Sequence, residues 1–481
     1  MKAIDRFIRI TLIVLVLAVG VLVTGAGAES AARAKGIILF IGDGMGINQL
    51  RSAAIYSEQI LNKPLVIDSI ATRGVTTTFS ANSEVTDSAA ASTALYSGHK
   101  TNNGVLNFLP DGREVSTIGH AAKKAGLSVG VVTTTRVSHA TPAAVYSRAW
   151  HRDEENFIAD QLAEFQPEVA MGGGLRHFVP GGRQGSKRTD ETNLLEVMTG
   201  KGYRYVKNSS ELKAVDPAVT PKLLGLFAVS HMAYELDRVN VPELGKQPDL
   251  AAMTEAALSI LGRNPRGFFV MIEGGRIDHA CHAHDIKASI FDTLALDAAV
   301  RVALEYQKQH PDVLVLLTAD HETGGLGLGT GVGYSLDVAA LRPIKNSLEF
   351  VQKKMAKQPG DLESILASAG FELSEKERAV LSKYPPETNS DAVTELSAYK
   401  GKLKKYVPSW IEYALGSIVS ERAKIGWTSF VHTAQPVITY AVGPGEEEFT
   451  GTYDNTDIAK KMAKLLGLVM DPPQSVSKTK Q

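Results

Sequence analysis

The sequence predicts an α/β fold in which a mainly parallel central sheet carries helices on both faces. Short apolar runs rich in β-branched residues recur along the chain, and stretches with helical spacing of apolar residues separate them. Strands that alternate with helices in this way form parallel sheets covered on both faces. The 481 residues are 44% hydrophobic and 21% charged, which is enough apolar chain for a large core.

Five apolar runs are predicted as buried strands, at residues 36–41, 128–132, 268–272, 313–317 and 437–442. Helices are predicted at residues 120–125, 156–164, 250–261 and 288–310. The stretch near residues 334–427 differs, because it is rich in Lys, Glu, Leu and Ala and has helical character through most of its length. We therefore predict a helical insertion there, serving as a cap or as an interface element.

Residues 1–28 have the pattern of a secretory signal peptide. A basic start is followed by an apolar run at residues 12–23 and by the small residues Ala26-Gly27-Ala28. The alternative is an uncleaved anchor, although the run is shorter than the roughly 20 residues that span a bilayer. We expect a periplasmic or secreted product without a membrane span, a single domain over residues 29–472, and a disordered tail at 473–481.

The charge and cysteine content exclude a basic nucleic-acid-binding surface and a disulfide-stabilised fold. Lys and Arg number 51 against 52 Asp and Glu, so the net charge is -1 and no basic field is available to bind nucleic acid. Cys281 is the single cysteine, so no internal disulfide can form.

Acidic residues and histidines cluster where the predicted strands end or begin. Seven of them are candidate metal ligands: Asp43, Glu273, Asp278, His282, Asp320, His321 and His432. In open α/β sheets the ligand site lies at the carboxyl ends of the strands. Carboxylate and imidazole groups together suit zinc, and seven such groups are enough for more than one metal ion. For Asp43 alone, an ordinary tight turn is the alternative.

Ser88 lies at a predicted helix start among small residues, in the segment VTDSAAAS. Small neighbours allow a substrate to approach closely, and the N–H groups at a helix start help to hold an anion. A Thr-Asp-Ser cluster before an Ala-rich run is also the usual pattern of a helix cap. The residues themselves leave both interpretations of Ser88 open.

Taken together, these segments resemble the alkaline phosphatase family. The matching pieces are IGDGMG, VTDSAAASTAL with KTNNG, RVSHATPAA, EGGRIDH, TADHETGG and HTAQPV with a later GPG, in the family order from about residue 36 to 466. The resemblance implies an alkaline phosphatase-like fold. It also implies hydrolysis of small phosphate monoesters to alcohol and inorganic phosphate, with a phosphoserine formed on Ser88. Members of the family are commonly homodimers, and monomers also occur.

The resemblance further implies a site with two Zn²⁺ and one Mg²⁺. One zinc site would comprise Asp43, Asp320 and His321, with Ser88 as a ligand or close neighbour. The other would comprise Asp278, His282 and His432. The third site, usually magnesium, would share Asp43 and be completed by Thr141 and Glu273.

Three further positions acquire roles only through the resemblance. Arg152 occupies the place of the arginine that clamps phosphate, whereas the sequence around it suggests a surface arginine. His139 and His279 stand at positions that vary among family members. They would contact phosphate through water and adjust the third metal site, or they would be supporting polar residues near it.

Two alternatives to a phosphomonoesterase remain open. The first is a relative in the same superfamily, namely a phosphodiesterase, a phosphomutase or a sulfatase. Sulfatases require a Cys/Ser-x-Pro-x-Arg context that is absent after Ser88, and diesterases generally use threonine. The second is a non-catalytic phosphate- or metal-binding protein. Because every expected ligand and the serine are present, no feature of the sequence supports lost activity.

Overall fold

The computed structural model describes residues 33–358, 360–382 and 409–475. The predicted signal peptide at residues 1–28 lies outside the described residues, as do residues 476–481 of the predicted tail. Gln474, which belongs to the tail predicted as disordered, exchanges two backbone hydrogen bonds with Glu114 and is therefore paired in the structure. No helix in the described ranges combines the length and the apolar character needed to cross a bilayer.

Ten strands of the described chain form one central sheet in the order β14-β2-β13-β8-β1-β7-β3-β4-β6-β5. Only β13 among them runs antiparallel to its neighbours, so the mainly parallel sheet predicted from the sequence is confirmed. The strands of the sheet are β1 Gly36–Gly42, β2 Thr72–Thr77, β3 Ser128–Arg136, β4 Val169–Gly173, β5 Arg204–Val206, β6 Leu223–Leu226, β7 Phe268–Gly274, β8 Val313–Thr318, β13 Val437–Val442 and β14 Gly451–Asp454. Two small ladders pair β9 Glu322–Thr323 with β12 His432–Thr433, and β10 Gly327–Leu328 with β11 Ile425–Gly426.

Helices connect the strands and cover both faces of the sheet. In the described residues they are α1 Ile47–Tyr56, α2 Ser88–Ser97, α3 Ile118–Lys124, α4 Ala140–Tyr146, α5 Glu155–Phe165, α6 Leu194–Gly200, α7 Ser209–Lys213, α8 Glu235–Asn240, α9 Leu250–Leu261, α10 Arg276–His282, α11 Ile286–Gln309, α12 Leu348–Lys357, α13 Leu362–Ser368, α14 Glu375–Leu381, α15 Trp410–Ala423 and α16 Asn455–Leu466. The four predicted helices agree with α3, α5, α9 and α11 to within two residues at each end.

The alternation of side chains along β1 shows why the central strands are apolar throughout. Ile38 and Phe40 belong to one buried core together with residues of α9 and α11. Ile37, Leu39 and Ile41 belong to the core on the opposite face together with residues of α2, α3 and α16. Because successive side chains point to opposite faces, a strand covered on both sides must be apolar at every position.

The sequence pattern did not identify the outer strands of the sheet. β2 is largely polar, β4 ends in two glycines, and β5 has three residues. These strands lack the long apolar run that distinguishes β1, β3, β7 and β8. β14, which follows β13 in the chain, was likewise not among the five predicted strands.

The described part of residues 334–427 is helical, as predicted. It comprises a short 3-10 helix, Val338–Leu341, and α12 to α15, while residues 383–408 lie outside the described chain. The antiparallel pairing of β10 with β11 joins the two ends of this segment, because Gly327 pairs with Gly426 and Leu328 with Ile425. Helices of the insertion also pack into the main core, where Leu348, Val351 and Ile411 are buried together with residues of α9 and α11.

Three neighbouring strands at the centre of the sheet place their polar residues at one edge. β1 lies between β7 and β8, and Ile41 is in register with both Glu273 and Thr318. Asp43 directly follows β1, and Asp320 comes two residues after β8. These carboxylates therefore meet at the carboxyl ends of parallel strands, where α/β proteins bind ligands.

Candidate active site

Three groups of side chains at this edge could each hold a metal ion. In each group one ligand atom per residue lies within 4.8 Å of the others. The groups, which we call the metal-ligand groups, are Asp43 with Asp320 and His321, Asp278 with His282 and His432, and Asp43 with His139 and Glu273. Asp43 belongs to two of them, so it would bridge two ions.

The donor atoms of these groups fit a cation. Both carboxylate oxygens of Asp43, Oε1 of Glu273 and Oδ2 of Asp320 are buried and have no hydrogen-bond partner among the described residues. Burial raises the pKa of Asp43 well above its ordinary value, and the nearby Asp320 and Asp278 raise it further. Burial likewise raises the pKa of Glu273, to about 7. Buried carboxylates are costly unless a cation compensates their charge, so these residues suit divalent metal ions.

The first metal-ligand group lies beside Ser88. His321 Nε2 is 3.1 Å from Asp320 Oδ2 and 3.5 Å from Asp43 Oδ1. Ser88 Oγ is 3.2 Å from the same nitrogen. Burial lowers the pKa of His321, but Asp320 and Asp278 outweigh it, so the pKa lies above its ordinary value. Three potential ligands and a hydroxyl therefore converge on one point.

The second group uses the helical spacing of Asp278 and His282 on α10. His282 Nε2 lies 3.3 Å from Asp278 Oδ2, and His432 Nε2 lies 3.5 Å from Asp278 Oδ1. The other ring nitrogens contact backbone carbonyls, His282 Nδ1 that of Phe430 and His432 Nδ1 that of Thr86 at 2.7 Å. A carbonyl only accepts, so Nδ1 carries the proton in both rings and Nε2 is left as the ligand atom.

The third group contains the predicted residues Asp43 and Glu273 together with His139. The predicted residue Thr141 has a buried Oγ1, and its hydroxyl lowers the pKa of Glu273. Thr133 and Thr135 donate to Glu273 Oε2, which leaves Oε1 for a cation. His139, predicted as a residue that contacts phosphate or adjusts this site, lies among the potential ligands themselves.

Ser88 is the first residue of α2, and its neighbour performs the capping. The carboxylate of Asp87 accepts a hydrogen bond from the backbone of Ala90 at 3.0 Å. The Ser88 hydroxyl is not needed for the cap and contacts His321 instead. The capping interpretation of the Thr-Asp-Ser cluster therefore applies to Asp87.

The side chain of Arg152 is 9% exposed and contacts Asp87, the residue before Ser88, so Arg152 is not a surface arginine. Its Nη1 lies 3.0 Å from Asp87 Oδ2, and its Nη2 lies 3.1 Å from His139 Nε2. Arg152 lowers the pKa of Asp87, although burial alone would raise it. The guanidinium is thus fixed from the side of α2, next to the serine.

A cavity of about 480 Å³ opens in front of these residues, lined by Ser88, His139, Arg152, Asp278, His279, His282 and His432. Its remaining lining includes six residues that we call the outer wall: Arg136, Glu155, His231, Tyr234, Arg276 and Glu349. No function was expected for any of these six residues from the sequence. Glu349 belongs to the helical insertion, so the insertion forms part of this cavity.

The charges of the outer wall pair with one another. Arg136 donates to both carboxylate oxygens of Glu155, at 2.6 Å and 2.7 Å. Arg276 donates from Nη2 to Glu349 at 2.6 Å and from Nη1 to His279 Nδ1 at 2.9 Å. Arg136 and Arg276 stand inside the quoted segments RVSHATPAA and EGGRIDH, which was the available signal for them. Glu349 and His231 have no such local signal.

A comparison with known families and proteins gives one consistent result. The family described as alkaline phosphatase matches residues 34–468. Alkaline phosphatase 3 of Bacillus subtilis (strain 168) is 32% identical over 444 residues, which cover 90% of this chain and 89% of the relative. The repressible alkaline phosphatase of Saccharomyces cerevisiae is 32% identical over 479 residues, covering 92% of this chain and 82% of the relative.

Solved structures agree with the sequence relatives. The alkaline phosphatase of Thermus thermophilus superimposes with a TM-score of 0.78 at 31% identity, covering 92% of this chain and 94% of that one. A cold-active alkaline phosphatase from Shewanella sp. has a TM-score of 0.75 at 29% identity, covering 90% and 99% respectively. Both likenesses extend over nearly the whole described chain.

Proposed function

We infer that this chain, which belongs to the alkaline phosphatase family, hydrolyses phosphate monoesters to an alcohol and inorganic phosphate. One observation carries the inference beyond family membership. The Ser88 hydroxyl lies 3.2 Å from His321 beside buried carboxylates that need cations, in a cavity that Arg152 also lines. A nucleophile, candidate metal ligands and an anion-binding group are therefore adjacent.

We propose that the site holds two Zn²⁺ and one Mg²⁺. Asp43, Asp320 and His321 would hold one zinc, and Asp278, His282 and His432 the other. Bound there, the zinc ions supply Lewis-acid chemistry, since they neutralise phosphate charge and lower the pKa of nearby hydroxyl groups. The mixed carboxylate and imidazole donors of both groups support this assignment.

In the proposed reaction Ser88 is the nucleophile. Its Oγ forms a bond to phosphorus while the bond between phosphorus and the alcohol oxygen breaks. The phosphoryl group is thereby transferred to Ser88, and the alcohol leaves with the proton that the serine gave up. Water then forms a bond to phosphorus, the bond to Ser88 Oγ breaks, and the serine recovers a proton. The N–H groups at the start of α2 favour the anionic phosphate beside Ser88.

Arg152 would hold the phosphate group in place during both steps. A planar guanidinium can donate two parallel hydrogen bonds to two phosphate oxygens, which an ammonium group cannot do. Asp87 fixes one side of this guanidinium at 3.0 Å, so the arginine is oriented before substrate arrives. His279 lines the same cavity and would contact phosphate, directly or through water.

The third site would be completed by Asp43, Glu273 and Thr141, with His139 close enough to take part. Carboxylate and hydroxyl oxygens suit Mg²⁺, whereas an imidazole donor suits Zn²⁺ better. We propose Mg²⁺ for this site, and His139 is the residue that would shift its preference.

The remaining proposals concern the whole chain. We propose that residues 29–472 form one catalytic domain, released to the periplasm or the medium after cleavage of the signal peptide, and that it acts on small phosphate monoesters as a homodimer or a monomer. The N-terminal pattern and the net charge of -1, which offers no basic field for nucleic acid, support this.

Hydrolysis of a chromogenic aryl phosphate by the chain from Glu29 onward tests the proposal. Turnover should disappear with EDTA and return with zinc and magnesium. A phosphate diester and a sulfate ester of the same aryl alcohol are the matched controls and should react far more slowly. Preference for either control would assign the chain to another activity of the superfamily, and binding of phosphate without any turnover would leave a binding protein.

A further inference from the structure

An ion pair between a buried arginine and a partly exposed glutamate joins the helical insertion to the cavity. Arg276 is 3% exposed, and its Nη2 donates to Glu349 Oε2 at 2.6 Å. The guanidinium also lies 3.8 Å above the ring of Tyr234, which fixes its plane. Burial raises the pKa of Glu349, but Arg276 and Lys353 outweigh it and hold that pKa at about 2. Glu349 is therefore a carboxylate that orients Arg276.

The same arginine controls a histidine of the proposed phosphate site. Arg276 Nη1 lies 2.9 Å from His279 Nδ1. Because a guanidinium only donates hydrogen bonds, Nδ1 must accept, and the proton of the neutral ring is on Nε2. His279 lines the cavity together with Ser88 and Arg152. The ring is thus held as a hydrogen-bond donor in the space where phosphate would bind.

The backbone around Glu349 is itself anchored to the elements near the site. Glu349 is the second residue of α12. The N–H of Leu348 donates to Asp285 at 2.7 Å, and the N–H of Ser347 donates to Asp237 at 2.8 Å. Asp285 caps α11, which follows α10 directly, so the start of α12 is fixed relative to α10. The ion pair connects two elements that already have a defined relative position.

We propose that Glu349 is a positioning residue, which fixes the orientation and tautomer of His279 through Arg276 and so makes the insertion part of the phosphate site. The proposal rests on the function proposed above, because it places the phosphate group between Ser88, Arg152 and His279. Glu349 itself would not touch the substrate.

Affinity for inorganic phosphate tests the proposal without depending on turnover. Titration calorimetry on the chain loaded with zinc and magnesium should show about tenfold weaker binding for Glu349→Ala, the size of effect typical of residues that support a ligand-binding side chain. Glu349→Gln keeps an acceptor for Arg276 and should stay within about threefold of the native chain. Glu363→Ala is the matched control, since Glu363 is an exposed glutamate of the same insertion paired with Arg378, and it should bind like the native chain.

A double-mutant cycle separates positioning from general loosening. In a His279→Ala background, Glu349→Ala should change phosphate affinity by less than about twofold. An equal tenfold loss in both backgrounds, or no loss in the native one, would overturn the proposal. Melting temperatures of all variants identify any that fail to fold. If Glu349→Ala does not fold, the comparison is made between Glu349→Gln and the native chain. Turnover of the aryl phosphate is measured on the same samples. Phosphate binding without turnover would contradict the proposed function, and the double-mutant cycle would still test the role of Glu349.

Discussion

The metal-ligand groups and the outer wall line one cavity but balance their charges differently. In the metal-ligand groups, carboxylate oxygens of Asp43, Glu273 and Asp320 are buried without a hydrogen-bond partner among the described residues. In the outer wall, Arg136 is paired with Glu155 and Arg276 with Glu349, at 2.6 Å in each case. The first region needs cations from solution, whereas the second is neutralised by its own side chains.

This difference indicates that the metal-ligand groups serve the reaction, whereas the outer wall serves the arrangement of the cavity. A region whose charges are uncompensated can bind and activate, and changes there should abolish function. A region whose charges are paired holds the cavity open and orients its contents, so changes there should adjust binding or stability.

Replacing the nucleophile should have the largest effect. Ser88→Ala should lower kcat for the aryl phosphate by about a thousandfold or more, because the first bond to phosphorus cannot form. Ser92→Ala is the matched control, since Ser92 is a buried serine one turn further along α2 and should keep near-native turnover. Steady-state kinetics on metal-loaded samples gives both values. Retention of a tenth of native kcat by Ser88→Ala would remove the serine from the mechanism.

The phosphate clamp should come next. Arg152→Ala should lower kcat/KM about a hundredfold, the cost of losing one group that stabilises developing charge. Arg152→Lys restores the charge without the planar fork and should recover a small part of the loss. Arg148→Ala, at a neighbouring arginine that lies 3.6 Å from Glu114, is the control. A lysine variant with native kinetics would show that charge alone suffices.

Metal removal should lower stability as well as activity. Chelation leaves the carboxylates of the metal-ligand groups to repel one another, as the raised pKa of Asp43 indicates, so the melting temperature should fall by about 5 °C or more. Differential scanning calorimetry with and without EDTA measures the shift. Asp320→Asn weakens one metal site and should show a smaller shift on chelation. An unchanged melting temperature in the native chain would contradict the fit of cations to these groups.

The third site offers a test of ion preference. His139→Asp replaces an imidazole with a carboxylate beside Asp43 and Glu273, so it should raise the affinity for Mg²⁺ by about tenfold. The concentration of Mg²⁺ that restores activity to zinc-loaded, magnesium-free samples reports this change. An unchanged Mg²⁺ requirement would place His139 outside the set of ligands.

The smallest effect is expected in the outer wall. Burial raises the pKa of Glu155, but hydrogen bonds from His177 and Arg136 outweigh it, so the pKa in the folded chain lies below its ordinary value. The carboxylate therefore stabilises the fold above its unfolded pKa of about 4.3 and loses this contribution as the pH falls. Glu155→Gln should cost about 1–2 kcal/mol at neutral pH.

Urea unfolding of native and Glu155→Gln chains across a pH series measures this difference. It should shrink below about pH 4, because Glu155 of the unfolded chain then takes up a proton while the folded carboxylate stays ionised. A difference that persists or grows in acid would contradict the sign of the argument, and a large loss of turnover in the variant would break the division between the two regions.

Features of the molecule that leave a local signal in the sequence could be predicted, and those without such a signal could not. The central strands could be predicted because burial on both faces requires apolar residues throughout, as in β1. Asp43, Asp320 and His321 could be predicted because they lie within three residues of a strand end. The short or polar strands β2 and β5 carry no such signal.

The residues that sequence reasoning missed depend on contacts between distant parts of the chain. Arg276 meets Glu349, 73 residues away, and Arg136 meets His231, 95 residues away. No local pattern encodes such pairs. The membership of His139 in the third group has the same origin, because its ring reaches Glu273 only when α4 packs beside β7.

Phosphopeptide mapping tests whether a phosphoserine forms on Ser88 during turnover. The metal-loaded chain is mixed with excess aryl phosphate, quenched in acid within the first turnovers, digested and analysed by mass spectrometry. One phosphorylated peptide is expected, modified at Ser88 and absent from the Ser88→Ala and EDTA-treated samples. Turnover without any covalent phosphate, or with phosphate on another residue, would rule out Ser88 as the nucleophile.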